Sequence, residues 1–167
     1  WFVHAALRYV EVTGDQGAWG DWLGDAVIAV IEGYINGSPD VMIQMGGDCL
    51  IVAGNHGTQL TWMDAACNGV VFTPRPGKAV EINALWHHNL ASLAIALKQS
   101  HPQKADHFKK LAGRAKRAFN RTFWSDQLGY CHDHVVVDDQ GNEHPDLTLR
   151  PNQVIAATEP SDNHGDA

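Results

Sequence analysis

The stretch His56-Gly57-Thr58-Gln59-Leu60-Thr61-Trp62-Met63-Asp64-Ala65 sets one carboxylate two residues from one indole, inside a glycine-punctuated segment. That pairing suits glycoside chemistry. The apolar face of Trp62 could stack on a pyranose ring, and its bulk could partly desolvate Asp64. Desolvation disfavours the charged form of a carboxyl and moves its pKa towards the range of a working general acid. A structural reading competes, in which Asp64 caps a short helical turn at Ala65-Ala66. On spacing alone both readings stand, because a single Trp-x-Asp is a weak signal.

A second group follows in Thr73-Pro74-Arg75-Pro76-Gly77-Lys78-Ala79-Val80-Glu81-Ile82-Asn83-Ala84-Leu85-Trp86. Two prolines bracket Arg75 and fix the backbone ahead of a helix start. Glu81, Asn83 and Trp86 then project from the first turns of that helix, and helix N-termini can face polar ligands. Glu81 is equally explained by a favourable interaction with the helix dipole. Core packing or capping would account for Trp62, Glu81, Asn83 and Trp86 as well as sugar contact would. Arg75 could bind substrate, but structural pairing with Glu81 or Asp64 is the favoured role. Asp48, in Gly46-Gly47-Asp48, reads as a turn residue. Arg150 and Asn152 either shape the mouth of a site or organise a helix start.

Taken together, Thr61-Trp62-Met63-Asp64-Ala65, the block from Thr73-Pro74-Arg75 to Ala84-Leu85-Trp86, and Arg150-Pro151-Asn152-Gln153 resemble the amylo-α-1,6-glucosidase domain of glycogen-debranching enzymes. Trp1-Phe2 and Tyr34-x-Asn36-Gly37 look like the same family, so the resemblance runs in order through nearly the whole chain. It implies an all-α fold: part of an (α/α)6 barrel of helical hairpins, with long inter-helix loops and a small β-hairpin. It also implies hydrolysis of α-1,6-glucosidic branch points in glycogen or limit dextrin, with Asp64 as general acid. On this reading Trp62, Glu81, Asn83, Trp86 and Arg75 are the substrate-binding candidates, an α-glucan is the partner, and no cofactor is expected. Glycosidases need two carboxylates flanking the bond. The family's base is a Glu nearer its C-terminus, in a segment this sequence lacks. Residues 1–167 are therefore expected to be a single partial domain, an internal piece that is inactive alone. A glucoamylase-like or trehalase-like enzyme, or a non-catalytic glucan-binding piece, are the alternatives.

The elements that must position these residues can be read from periodicity. Leu7, Val10 and the aromatics predict a first helix from residue 1 or 2 to about 12, stopped by Thr13-Gly14-Asp15. Trp22, Ala26, Ile28, Val30 and Ile31 predict a second from near 21 to 35, ended by Asn36-Gly37. Residues 37–77 are rich in Gly and Pro and predict one small hairpin, from strand-like pieces at 41–44 and 49–52, within a site-building loop. A third helix is expected from after Gly77 to about 100, with Leu90, Leu93, Ala94 and Leu97 on one face. A fourth is expected from about 104 to 123, with Phe108, Leu111, Ala115, Ala118 and Phe119 buried. Residues 124–149 are mixed, with a β-like piece at 130–137 and a polar turn at 138–141. Pro151 opens a fifth helix at a favourable first position, and residues 160–167 read as a frayed polar tail.

Composition narrows the function classes. The chain has 167 residues, 44% hydrophobic, with 12 Lys plus Arg against 19 Asp plus Glu and a formal charge of −7. An acidic surface without basic runs disfavours nucleic acid. No stretch reaches the roughly 20 apolar residues of a membrane span. Three scattered cysteines do not make a disulfide framework and lean towards a reducing, cytoplasmic setting. Cys131-His132-Asp133-His134 and His87-His88 lack zinc spacing. Strand alternation would send Cys131 and Asp133 to one side and the two histidines to the other, so no metal is expected.

Overall fold

A computed structural model describes residues 1–55, 57–138 and 140–158. The positions expected to open the Trp-x-Asp loop at His56 and to form the polar tail at 160–167 lie outside the described residues. Helix α1 (Phe2–Thr13) ends as expected: Gly14 adopts the left-handed conformation at φ 68° and donates its N–H to Val10. A short turn α2 (Gln16–Ala18) and a π-helical turn (Trp19–Leu23) lead into α3 (Gly24–Asn36), which packs on α1. The wide π turn displaces the expected second helix by three residues, and Trp22 is exposed rather than part of the apolar body. Val27, Ile28 and Ile31 supply the buried stripe.

Helix α4 (Val80–Ala96) is the centre of the molecule and stops four residues earlier than expected. It packs against α1, against α5 (Pro102–Phe123) and against α6 (Gln153–Thr158). Its burial is not confined to the face of Leu90, Leu93 and Ala94. Val80, Leu85 and Trp86 are buried as well, and so are Glu81, Asn83 and Asn89. A helix enclosed on several sides carries apolar residues around most of its circumference. Helix α5, by contrast, is amphipathic, with Ala105, Phe108, Leu111, Ala112, Ala115, Ala118 and Phe123 inside. Phe119 is partly buried and meets Phe123 with ring centroids 4.8 Å apart.

The all-α partial barrel does not appear. Among the described residues nine short strands form four small sheets, and no ring of helical hairpins is present. Strand β1 (Ile43–Met45) pairs antiparallel with β2 (Ile51–Ala53), which is the expected hairpin shifted by a residue or two. A second hairpin joins β3 (Ala66–Cys67) to β4 (Val70–Val71) through Asn68 and Gly69, both at positive φ. Strands β6 (Trp124–Ser125) and β7 (Tyr130–Cys131) form a third. The three-stranded sheet β5-β8-β9 combines Lys78–Ala79, His134–Val137 and Glu143–Pro145. The reason is backbone accounting. The long connections at 37–79 and 124–145 run against buried helices, and their N–H and C=O groups need partners there. Local pairing supplies them.

These sheets anchor the entry to α4. Asn83, fully buried, accepts from the Ile51 amide at 2.7 Å and donates to the Ile51 and Ala79 carbonyls at 3.1 Å each. Trp86 donates its indole N–H to the Cys49 carbonyl at 3.0 Å and packs on Tyr34. Asp48 holds its turn by accepting from the Leu50 amide, as its sequence setting suggested, and also pairs with Lys78 at 2.7 Å. Lys78 additionally meets Glu143, tying β5 to β9. No helix among the described residues is long and apolar enough to cross a membrane.

Candidate active site

Gly77 begins the site's scaffold. At φ +95° it brings the backbone so close to β8 that a Cβ there would lie 2.3 Å from the Val135 carbonyl oxygen. Its N–H and C=O pair with Ala53 at 2.8 and 2.9 Å. Fixed by this crossing and by Pro74 and Pro76, Arg75 turns inward and is buried. Its Nη1 and Nη2 donate to the two carboxylate oxygens of Glu81 at 2.6 and 2.7 Å, a fork-on-fork geometry. Its Nε donates to Asp133 Oδ2 at 2.7 Å, and Nη2 also reaches the Asp133 carbonyl at 3.0 Å. Of the two pairings expected for Arg75, the one with Glu81 forms.

A second guanidinium completes the cluster. Arg150 donates to Asp133 Oδ2 at 2.9 Å and to Asp146 at 2.6 Å. His134 Nδ1 lies 3.5 Å from Asp133 and 3.4 Å from Asp146, a Coulombic neighbour more than a well-formed hydrogen bond. Burial pushes the Asp133 carboxyl up, but the His134 ring, the Arg75 charge and hydrogen bonds from Asn152 and Arg75 outweigh it and hold the group below the usual carboxylate range. Asp146 behaves alike: burial works against its charge, while Arg150 and the Thr148 side chain and amide bring it down. Burial likewise opposes the Arg75 charge, and Glu81 and Asp133 raise its pKa above the ordinary guanidinium value. Asp133, His134 and Asp146 could in principle present ligand atoms within 4.8 Å of one another. Strand alternation does not keep them apart, because β7 ends at Cys131 and β8 starts at His134, leaving a bend between. Two guanidinium ions already supply the positive charge that a metal would bring to these carboxylates, so the donor set fits an ion-pair cluster better than a cation site.

The Trp-x-Asp strip lies against this cluster. Asn152 is 1% exposed. Its Oδ1 accepts the Trp62 indole N–H at 3.0 Å, and its Nδ2 donates to Asp133 Oδ1 at 2.6 Å and to the Met63 sulfur at 3.3 Å. Thr73 donates to the Met63 carbonyl at 3.2 Å, and the Phe72 amide to the Ala65 carbonyl at 3.1 Å. The strip is therefore pinned from within while its outer side faces solvent. Trp62 is 59% exposed and Asp64 is exposed, with no donor to its carboxylate among the described residues. The family described as amylo-alpha-1,6-glucosidase matches residues 1–164. The chain belongs to that family. No curated protein and no solved structure matches it.

Membership in the amylo-α-1,6-glucosidase family makes this a glycogen-debranching enzyme domain, consistent with a glycoside hydrolase. The residues singled out in the sequence divide into two layers. Trp62 and Asp64 are at the surface. Arg75, Glu81, Asn83 and Trp86 are below it, with their polar atoms committed to protein partners. The desolvation of Asp64 by Trp62 is absent in this chain, where both side chains face water. Asp64 does not cap a helical turn either, since Ala66 begins a strand. Asp133 and Asp146 were not anticipated as partners of the arginines. The available signal was two buried-type arginines beside prolines, each needing a carboxylate that adjacent sequence does not supply in full.

Proposed function

We propose that Asp64 is the general acid that cleaves α-1,6-glucosidic branch points of glycogen or limit dextrin, with Trp62 as the platform for the departing or bound glucose ring. The protonated carboxyl gives its proton to the glycosidic oxygen; the C1–O bond breaks, and its electron pair stays with that oxygen, which leaves as the C6 hydroxyl of the main chain. Water, deprotonated by a second carboxylate, adds to C1 and gives free glucose. What supports this reading is the family match over residues 1–164, together with an exposed Asp64 two residues from Trp62 on a strip pinned to a buried ion-pair cluster.

The second carboxylate is assigned to a part of the protein outside residues 1–167. Glu81, Asp133 and Asp146 accept hydrogen bonds from Arg75 and Arg150, which suits them to structural charge and not to moving protons. Arg75, Glu81, Asn83 and Trp86 act on substrate indirectly, by holding the floor beneath Trp62 and Asp64. The test is substrate choice in the full-length protein. Glucose should be released from a branched limit dextrin and hardly at all from an unbranched maltodextrin of equal length. Equal rates on both would assign a glucoamylase-like activity in place of debranching.

A further inference from the structure

Residues 61–65 form no helix or strand, yet a proton donor must be placed within hydrogen-bond reach of one oxygen atom. Among the described residues three attachments hold this segment to the protein: Asn152 at Trp62 and Met63, Thr73 at Met63, and Phe72 at Ala65. The first differs in kind. Asn152 stands 90 residues from Trp62 in sequence, at the entry to α6, and is buried with every amide function used. Its orientation is also forced. The indole N–H can only donate, and ionised Asp133 can only accept, so the Asn152 oxygen must face Trp62 and its nitrogen Asp133. Asp133 in turn is gripped through its other oxygen by Arg75 and Arg150, and Arg75 by Glu81 in the first turn of α4. One unbroken path of hydrogen bonds runs from α4 to the indole of Trp62, two residues from Asp64.

We propose that Asn152 is a positioning residue: it fixes the Trp62 indole and thereby the placement of the Asp64 carboxyl against the scissile oxygen. The proposal rests on the reading of Asp64 as general acid. Asn152 does not touch substrate. It transfers the rigidity of the Arg75–Glu81–Asp133 cluster to a strip that has no secondary structure of its own.

Two substrates with different leaving groups separate this role from a merely structural one. The branch-point alkoxide of limit dextrin needs a proton to leave, whereas the fluoride of α-D-glucosyl fluoride does not. In the full-length protein, Asp64→Asn should abolish limit-dextrin hydrolysis and largely spare the fluoride. Asn152→Leu, which removes all three side-chain hydrogen bonds while keeping the γ-branched shape, should follow the same pattern. Its kcat on limit dextrin should fall roughly 10- to 100-fold, as for a misplaced catalytic group, with a much smaller change on the fluoride. Trp62→Phe breaks the same bond from the exposed side while keeping a ring. It should lower the ratio of dextrin to fluoride turnover by roughly tenfold, and it decides the matter if Asn152→Leu does not fold. An equal loss on both substrates, or no loss on either, overturns the proposal. If Asp64→Asn itself retains dextrin turnover, the general-acid reading falls and this one with it. That outcome is told apart because it is visible in the Asp64 variant alone.

Discussion

Arg75 is the joint on which the cluster turns, and Arg75→Met tests its energetics. The substitution keeps most of the side chain's apolar volume and deletes four hydrogen bonds, two to Glu81 and two to Asp133. Asp133 retains Arg150 and Asn152. Glu81, 1% exposed, is left as a buried carboxylate facing the space its partner vacated. Removing one member of a buried pair costs about 3–5 kcal/mol, mostly the penalty of the stranded charge. That is a large share of the about 5–15 kcal/mol that stabilises a typical domain. If the stranded charge is the cause, deleting it must restore stability. Arg75→Met with Glu81→Leu should therefore recover about 2 kcal/mol or more relative to the single variant, since apolar replacements of buried pairs are often neutral or better. The assay is urea unfolding followed by tryptophan fluorescence and far-ultraviolet circular dichroism. A single-variant cost below about 1 kcal/mol, the range of a solvated pair, would refute the buried-pair argument. So would a double variant less stable than Arg75→Met.

Three further outcomes follow from the same geometry. Gly77→Ala should cost more than about 2 kcal/mol in urea unfolding, because φ +95° and the Val135 carbonyl at 2.3 Å both oppose a Cβ; a neutral result would mean that β5 and β8 do not cross so closely. Asn83→Ala should cost about 2–3 kcal/mol and speed hydrogen exchange at the Ile51 amide, whose acceptor it removes; unchanged exchange would count against that bond. Burial, with Lys116 and His88 nearby, lowers the His87 pKa from 6.5 to about 4. The unfolded chain then binds more protons between those values, so stability is full above pH 6.5 and falls as pH drops towards 4, by about 2–3 kcal/mol. His87→Phe should flatten that part of the profile, and superimposable curves would discount His87.

The helices were legible where periodicity was strong and local. In α5, Phe108, Leu111, Ala115 and Ala118 mark one face at helical spacing, and the C-terminal limit at Phe123 is where the sequence placed it. For α4 the expectation placed only Leu90, Leu93, Ala94 and Leu97 on one face, whereas Val80, Trp86 and the buried Asn83 and Asn89 mark an enclosed helix. An apolar residue on every side says that a helix is covered, but not by what. The β3–β4 hairpin left a readable sign that went unused: Asn68-Gly69 is the residue pair preferred where two successive positive φ angles are needed. The all-α expectation failed because it came from resemblance and helix periodicity, while the two- and three-residue strands here carry almost no alternation to detect. Within the site, Arg75 with Glu81 could be foreseen from proximity along the chain. Asp146 with Arg150, four residues apart, was readable on the same ground and went unused; Asp133 was not, because its arginine partners are set by the pairing of β5 with β8 and the return of residues 146–152. Asn152 reads from sequence as shaping a site mouth or organising a helix start, but its bond to Trp62 depends on that same return.

The most direct measurement of the central claim is glucose release from a branched limit dextrin by the full-length protein and its Asp64→Asn variant, with folding of both verified by circular dichroism. General acid catalysis contributes about 10²- to 10⁴-fold, so the variant should lose activity by a factor in that range while keeping the far-ultraviolet spectrum of the parent. A folded variant that retains most of its glucose release would make Asp64 a surface carboxylate without a catalytic part and would contradict the account.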